Sequence, residues 1–246
     1  MKLILFVFLF LIPGFIIGQS SKNFEFCVSL NSIDPYLPVH LSFEEFYIDG
    51  GKFINNSLAY GLTGKYFLTD YDAIRLRVVY TNKNVTDVRD VTTDIHSIVD
   101  EKFHQILLKV APGFQWQSTK EKMVLFGGLE VPITFIGNLK QKEYGLYATL
   151  DETTYNETVA ITTIPGGFSA GIGAFFGSNF FITNKLGLGF EFGSAFQYSS
   201  VGGTITNIVS LIGTSGNSMD TSTIIETLQQ YKFSPFQGSI NLTMRI

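Results

Sequence analysis

The chain has 246 residues, with 17 Lys and Arg against 21 Asp and Glu, which gives a net charge of -4. A chain without a basic excess lacks the electrostatic footprint of nucleic-acid-binding proteins, so that class is excluded. Charged residues make up only 15% of the chain and the mean hydropathy is +0.22, whereas soluble domains average about 25% charged residues. The single cysteine, Cys27, excludes an intramolecular disulfide and a cysteine-based zinc cluster. The three histidines show no metal-binding spacing, so no metal or other cofactor is expected.

Residues 1–18 are predicted to be a secretory signal peptide. Met1 and Lys2 precede an uncharged run over 3–18 that contains the helix-breaking Pro13 and Gly14. The alternative, a membrane anchor, is disfavoured because this run is shorter than the roughly 20 apolar residues that a spanning helix needs. Residues 19–246 are predicted to form one domain.

Eight segments of that domain alternate bulky with small or polar residues, which is the period of two that β-strands show. Leu188 and Phe190, for example, alternate with Gly187 and Gly189. The predicted strands span residues 24–31, 57–68, 74–81, 105–117, 124–135, 168–177, 186–198 and 236–246.

The connections between these strands fall into two classes. Tight turns are predicted near 69–71, 119–120 and 183–185, and long loops over 33–55, 83–103, 137–165 and 200–230. Short turns at one end and long loops at the other are typical of an up-and-down membrane barrel. A two-residue turn at Thr119 and Lys120 places Lys109 directly opposite Glu130 in the hairpin.

One face of the strands is nearly all apolar, and the other carries charges among Gly, Ser, Thr and Gln. In a soluble, lipocalin-like barrel the apolar face would line the interior. An eight-stranded barrel has room inside only for side chains, and charges are tolerated there only where they pair with one another. We therefore expect a polar lumen that holds a structural charge network, in which Arg77 reaches Glu191. Its members are Glu25, Lys65, Arg75, Arg77, Lys109, Glu130, Glu191 and Arg245.

The predicted fold is thus all-β, an eight-stranded antiparallel up-and-down transmembrane β-barrel with a polar lumen and a lipid-facing apolar exterior. Over residues 22–246 this pattern resembles the small eight-stranded outer-membrane barrels of Gram-negative bacteria, the OmpA/OmpX-like group, although the chain ends in Ile246 where that family often has an aromatic residue. The resemblance implies a bacterial outer-membrane location after secretion across the inner membrane. It also implies insertion by the barrel-assembly machinery and contact with outer-membrane lipid and surface glycolipid.

Aromatic side chains near both ends of the predicted strands suggest two interfacial girdles. They are Tyr66, Tyr71 and Trp116 near the short turns, and Tyr60, Tyr80, Phe135 and Tyr198 near the long loops. The glycine pairs at 171 and 173 and at 187 and 189 are expected to leave room for Arg and Lys side chains in the lumen. The four predicted loops hold fifteen acidic and six basic residues, a charge of -9 that suits either divalent ions bridging to anionic glycolipid or simple solvation.

The sequence gives only a weak indication of a catalytic site. His40, His96 and His104 lie in or beside predicted loops, with Asp94 and Asp100 nearby in sequence, but such residues are common in turns. The predicted function is therefore a non-enzymatic, structural or surface-interaction role of the long loops. The alternatives are a narrow solute pore and, less favoured, an outer-membrane enzyme.

Overall fold

The structure, a computed structural model, describes residues 24–31, 52–55, 58–92, 95–149, 155–213 and 216–246. Those residues contain no helix long and apolar enough to cross a membrane. The signal peptide predicted for 1–18 lies outside the described residues. The strands are β1 (Phe24–Asn31), β2 (Lys52–Asn55), β3 (Leu58–Phe67), β4 (Asp72–Thr92), β5 (Ile95–Lys120), β6 (Met123–Glu130), β7 (Ile133–Ile136), β8 (Leu139–Thr149), β9 (Tyr155–Ile164), β10 (Gly167–Phe181), β11 (Leu186–Gly213) and β12 (Gly216–Arg245).

Eight antiparallel wall strands close into a ring, which confirms the predicted barrel. The order around the ring is β1, β3, β4, β5, β6 with β7, β10, β11 and β12, and β12 pairs back onto β1. At the closure, Glu25 lies opposite Lys65 on one side and Arg245 on the other. Each wall strand pairs with the next one in sequence, so the topology is up-and-down.

The fifth wall strand consists of β6 and β7, separated by Val131 and Pro132. Proline has no backbone N–H and cannot donate a hydrogen bond to a neighbouring strand. The register against β5 is the same on both sides of the break, with Gly113 opposite Glu130 and Lys109 opposite Thr134. The interruption is therefore local and leaves the wall continuous.

The apolar face of the wall points outward. Leu188 and Phe190 are 48% and 52% exposed, whereas Glu191 beside them is 5% exposed. Contiguous exposed apolar surface of this extent is rare on soluble monomers and is typical of a barrel wall that meets lipid.

The predicted aromatic girdles mark two levels of that exterior. Tyr60 pairs with Tyr80 across β3 and β4, and Tyr80 in turn lies opposite Leu108 of β5. Trp116 lies eight residues from Leu108 on the same strand, which is about 26 Å along a strand that rises about 3.3 Å per residue. Once strand tilt is allowed for, the separation suits the apolar band of a membrane barrel.

The predicted turn at 119–120 is wrong by two residues. Lys120 pairs with Met123, so the turn residues are Glu121 and Lys122, and Glu121 adopts the positive φ of 55° that such a tight turn needs. Lys109 consequently lies opposite Thr134. The predicted pairing of Lys109 with Glu130 is therefore wrong.

The segments 83–103, 137–165 and 200–230, predicted as loops, are mostly β-structure. The wall strands β4, β5, β11 and β12 continue past the barrel rim and join the short strands into one sheet in the order β2, β4, β5, β8, β9, β11, β12, which we call the rim sheet. Of the predicted loop 33–55, only 52–55 is described, and it forms β2. These segments are rich in Val, Ile and Thr, which favour strands even without the alternation that membrane burial imposes.

Candidate functional site in the barrel lumen

All eight charged residues predicted for the lumen lie on the inward-facing parity of the wall strands. Five of them, Glu25, Lys65, Arg75, Glu130 and Glu191, are buried. The other three, Arg77, Lys109 and Arg245, are partly buried. Together the eight comprise five cations and three anions, and the structure separates them into two clusters and one remaining lysine.

The first cluster, which we call the quartet, consists of Arg75, Arg77, Glu130 and Glu191. Arg75 donates two hydrogen bonds of 3.0 Å to the two carboxylate oxygens of Glu191. Arg77 donates one bond of 3.0 Å to Glu191 Oε1 and another to Glu130, so it bridges both acids. The Arg75 guanidinium also lies 3.8 Å from Glu130. Two cations and two anions thus form a neutral, closed network.

The quartet crosses the full width of the barrel. β4, which carries both arginines, and β11, which carries Glu191, are separated by three wall strands in either direction around the ring of eight. Glu130 projects from β6, between them on one side. The network therefore ties opposite walls together and occupies the centre of the lumen.

The second cluster lies nearer the end of the barrel with the short turns. Glu25 accepts hydrogen bonds from Lys65 Nζ at 2.7 Å and from Arg245 Nε at 3.2 Å. These residues belong to three adjacent strands, β1, β3 and β12, so the cluster links the strands at which the ring closes. One carboxylate shared by two cations gives this cluster a charge of +1.

Among the described side chains, three phenylalanine rings point into the lumen, and each one lies against a cation. The Arg75 guanidinium lies 3.8 Å from the Phe175 ring centroid, Lys65 Nζ lies 4.8 Å from that of Phe126, and the Arg245 guanidinium lies 3.5 Å from that of Phe181. Cations are attracted to the electron-rich faces of aromatic rings, most strongly where water is scarce.

Lumen glycines make room for these rings. A Cβ on Gly177 would lie 2.7 Å from Phe126 Cζ, one on Gly128 would lie 2.5 Å from Phe175 Cζ, and one on Gly187 would lie 3.1 Å from Phe181 Cδ1. Of the glycines at 171, 173, 187 and 189, which were expected to leave room for Arg and Lys, only Gly187 lies against one of these rings. A Cβ at 171 or 189 would instead meet Gln197 or Asn179, and one at 173 would lie 3.4 Å from Glu130 Cγ.

Sequence reasoning missed the role of these rings, although the strand periodicity places Phe126 and Phe175 on the inward face. Each lies directly opposite a glycine of the paired strand, Phe126 opposite Gly177 and Phe175 opposite Gly128. A phenylalanine among glycines on the small face was the signal that was overlooked.

Comparisons with known proteins show distant likeness only. No family model and no curated protein sequence matches the chain. Among solved structures it is similar to the outer membrane protein OprG from Pseudomonas aeruginosa, at 12% identity over 92% of this chain and 97% of that one, with a TM-score of 0.40. It is also similar to CarO from Acinetobacter baumannii, at 13% identity over 80% and 97%, with a TM-score of 0.33. At these scores the likenesses carry no conclusion about function.

A cavity of about 120 Å³ lies on the rim-sheet side of the quartet, with Arg77 and Glu130 among its lining residues; we call it the vestibule. Its wall includes Asn31 and Lys83, both close to where their strands leave the barrel. Lys109 belongs to this cavity, and its Nζ donates a hydrogen bond of 3.2 Å to Gln237 Oε1. The lumen therefore contains a chamber on the rim-sheet side of the quartet that is lined by both polar and apolar side chains.

The other candidate residues from the sequence are not brought to the lumen centre. His104 is exposed on β5, His40 lies outside the described residues, and the side chain of His96 is not described. Within the described ranges no group of His, Cys, Asp and Glu side chains is arranged to hold a metal ion. Asp87 and Glu101, counted in the acidic loops, lie opposite each other on β4 and β5 and are buried, so they are not part of a solvated acidic rim.

Proposed function

We propose that the protein is an outer-membrane β-barrel of a Gram-negative bacterium that is closed to solutes and acts at the cell surface through its rim sheet. The closed network across the lumen is the observation that carries this proposal. Arg75 and Glu191 join opposite walls, and Arg77 and Glu130 fill the space beside them. A lumen bridged in this way holds the barrel shut, which leaves the rim sheet as the part that meets other molecules.

The outward face supports the membrane location. Apolar side chains cover the wall between two aromatic levels, as expected where a barrel meets lipid and its headgroup regions. In this orientation the short turns face the periplasm and the rim sheet faces outward. The proposed partners are outer-membrane lipid, surface glycolipid and, during insertion, the barrel-assembly machinery.

The rim sheet supports the surface role because it is a hydrogen-bonded platform. β11 and β12 stay paired from Ala195 and Ser234 up to Gly213 and Gly216, well beyond the barrel. On this ribbon Met219, Ile224 and Ile225 are 69%, 64% and 81% exposed. Exposed apolar side chains on a paired ribbon are suited to contact with a partner at the surface. No catalytic role is proposed.

The proposal is tested by membrane fractionation of cells expressing the full chain, combined with gel mobility before and after heating. The folded barrel is expected in the outer-membrane fraction, and its mobility should change when heat unfolds it. Recovery in the soluble or inner-membrane fraction would contradict the proposed location.

A narrow solute pore is the second candidate, and the vestibule favours it because it is an empty space in the lumen on the rim-sheet side of the quartet. A closed barrel requires the quartet to stay intact, whereas a pore requires it to open. Steady conductance of the reconstituted protein would favour the pore, and its absence would favour the closed barrel.

A further inference from the structure

A group of basic side chains lies on the outward face of the rim sheet, just beyond the apolar wall. It consists of Lys102 and His104 on β5 and Lys140 and Lys142 on β8, and all four are exposed. We call it the basic patch. The four segments predicted as loops contain six basic residues in all, and three of them, the lysines of the basic patch, are gathered here.

The pairing of β5 with β8 sets the basic residues against one another. His104 lies directly opposite Lys140, and Lys102 lies directly opposite Lys142. Residues in such positions on an antiparallel pair have Cβ atoms about 4.5–5.5 Å apart, and like charges there destabilise the sheet. An anion bound across the two strands would relieve this repulsion.

The strands on either side offer no acid at these two levels of the sheet. On β9, Thr163 lies opposite Lys140 and Ile161 lies opposite Lys142. On β4, the residues opposite His104 and Lys102 are Asn84 and Thr86. The basic patch is therefore flanked by neutral residues on both sides.

One acid of the outward face does reach the basic patch. Asp100 Oδ2 lies 2.6 Å from Lys102 Nζ, so this lysine has a partner. Among the described residues, Lys140 and Lys142 make no ion pair. Glu101 and Glu143 are close in sequence, but they lie opposite each other on the other face of the sheet. Two lysines of the basic patch thus remain available to an anion.

The basic patch lies within reach of the lipid headgroups. Leu108 stands at the outer aromatic level, opposite Tyr80, and the next outward residue, Ile106, is 40% exposed. His104 follows two residues later, about 13 Å along the strand from Leu108. The distance along the membrane normal is shorter because the strands of a membrane barrel are tilted. Lysine side chains are long enough to extend further toward the headgroups.

Other parts of the rim differ at the corresponding level. Ser200 and Gln229 lie opposite each other on β11 and β12, each two residues beyond a tyrosine of the outward face, Tyr198 and Tyr231. Both residues are neutral. An anion of the membrane surface would therefore be attracted to β5 and β8 more strongly than to β11 and β12.

We propose that the basic patch binds the phosphate groups of an anionic glycolipid in the outer leaflet, chiefly through Lys140 and Lys142. A phosphate monoester carries a charge of about -1.5 to -2 at pH 7 and offers three acceptor oxygens, which suit the three donors of a lysine ammonium group. This inference rests on the proposed outer-membrane location. It requires no bridging divalent ion, because lysine contacts phosphate directly.

Native mass spectrometry of the full chain, folded in a neutral detergent and titrated with bisphosphorylated lipid A, tests the proposal. We expect saturable binding that is at least tenfold tighter than the binding of lipid A from which both phosphates have been removed. Inorganic phosphate at the same concentration should not displace the glycolipid. Equal binding of the two glycolipids, or displacement by inorganic phosphate, would overturn the proposal.

The K140Q/K142Q variant should bind bisphosphorylated lipid A at least tenfold more weakly than the unmodified protein. The matched control is K120Q/K122Q, which removes two exposed lysines with the same spacing at the opposite end of the barrel. The two variants have equal net charge, so a general electrostatic effect would weaken both alike. The control should bind as the unmodified protein does, and equal affinities of the two variants would overturn the site.

A measurement without substitutions covers the case in which a variant fails to fold. Acylation of lysines, read by mass spectrometry, should slow at Lys140 and Lys142 when bisphosphorylated lipid A is present and stay unchanged at Lys120 and Lys122. Equal slowing at all four would refute the site. Absence of binding by a protein that fractionates with the outer membrane would refute only the glycolipid site, whereas recovery in another fraction would refute the proposed function.

Discussion

Arg75 and Glu191 are joined across the width of the lumen by two hydrogen bonds of 3.0 Å, although 116 positions separate them in sequence. Both side chains are almost fully buried, with exposed fractions of 0% and 7%. Ions removed from water in this way are tolerated only when paired and hydrogen-bonded. Arg77 binds the same glutamate and also pairs with Glu130, so it extends the network to a second acid. The stability of the barrel should therefore depend on keeping charges balanced inside it.

Glu191→Gln is expected to destabilise the barrel by about 3–5 kcal/mol, because it leaves the buried Arg75 and the partly buried Arg77 short of an anion. Arg75→Met should cost less, since Glu191 keeps Arg77 as a partner. The R75M/E191Q double variant should cost less than Glu191→Gln alone, because the balanced pair of Arg77 and Glu130 remains. Reversible unfolding from detergent or lipid measures all three free energies.

The three variants form a double-mutant cycle that gives the coupling energy between Arg75 and Glu191. Its control is the same cycle on the exposed pair of Lys102 and Asp100, whose Nζ and Oδ2 are 2.6 Å apart and whose side chains are 59% and 26% exposed. Its coupling should be below about 1 kcal/mol, as is usual for surface ion pairs. Similar coupling energies for the two pairs would show that the quartet does not behave as a buried network.

Which face of the wall meets lipid can be tested at Leu188 and Leu242, which lie opposite each other on β11 and β12 at the outer surface. Arginine at either position should cost about 2–4 kcal/mol near the membrane midplane. The lumen comparison is Gly193→Ser, where an added Cβ would be 3.6 Å from the nearest atom, the Ala174 carbonyl oxygen. This variant should cost clearly less. The reverse order in reversible folding would mean that the apolar face does not meet lipid.

Gly189 is unsuitable for that comparison although it also faces the lumen. An added Cβ there would overlap Asn179 Oδ1 and the carbonyl oxygen of Ser178. From polarity alone, Gly189→Ser would be mild because it adds a hydroxyl to a polar space. The structure instead indicates a steric penalty.

Gly177→Ala should destabilise the barrel by about 1–3 kcal/mol, the usual cost of overpacking. The new methyl would press on Phe126, the ring beneath Lys65, and on the Phe190 carbonyl oxygen. In the control Gly64→Ala, the nearest atoms to the new Cβ are 4.0 Å away, so little change is expected. Adding Phe126→Leu should recover part of the loss. Equal stabilities of the two alanine variants would argue against the tight glycine–phenylalanine contact.

Topology is tested by single cysteines labelled in intact cells with a membrane-impermeant reagent. Asn217→Cys on the rim sheet should react, whereas Lys120→Cys beside the turn at Glu121 should not. The native Cys27 is buried in the lumen, so background labelling should be low. Labelling of Lys120→Cys together with protection of Asn217→Cys would invert the orientation.

The faces of the strands were predictable from sequence because the period of two depends only on residue type. Glu25, Lys65 and Glu191 all lie on the predicted inward parity. Register was less predictable because it depends on the position of each turn. The segment Lys120, Glu121, Lys122 has no Gly, Asn or Asp to mark the residue with positive φ. The turn was therefore predicted two residues too early, and the predicted partner of Lys109 was wrong.

The strands of the rim sheet were predicted as loops for a different reason. Outside the membrane no lipid enforces one apolar face, so the strands around Val209 and Thr223 keep β-branched residues without clean alternation. The composition of the lumen was accessible from the sequence, and so was the contact of Arg77 with Glu191, which the structure confirms, but the remaining pairings were not. Arg77 meets Glu130 and Glu191 only because the ring closes and brings distant strands together.

The most direct test of the closed barrel is the steady conductance of the purified protein in planar lipid bilayers. The unmodified chain should insert and show no steady ion current, because the quartet bridges the lumen from β4 to β11. The R75S/E191S variant, in which two long charged side chains become short and neutral, should conduct ions if heat-modifiable mobility shows that it is folded. A stable current through the unmodified protein would contradict the account.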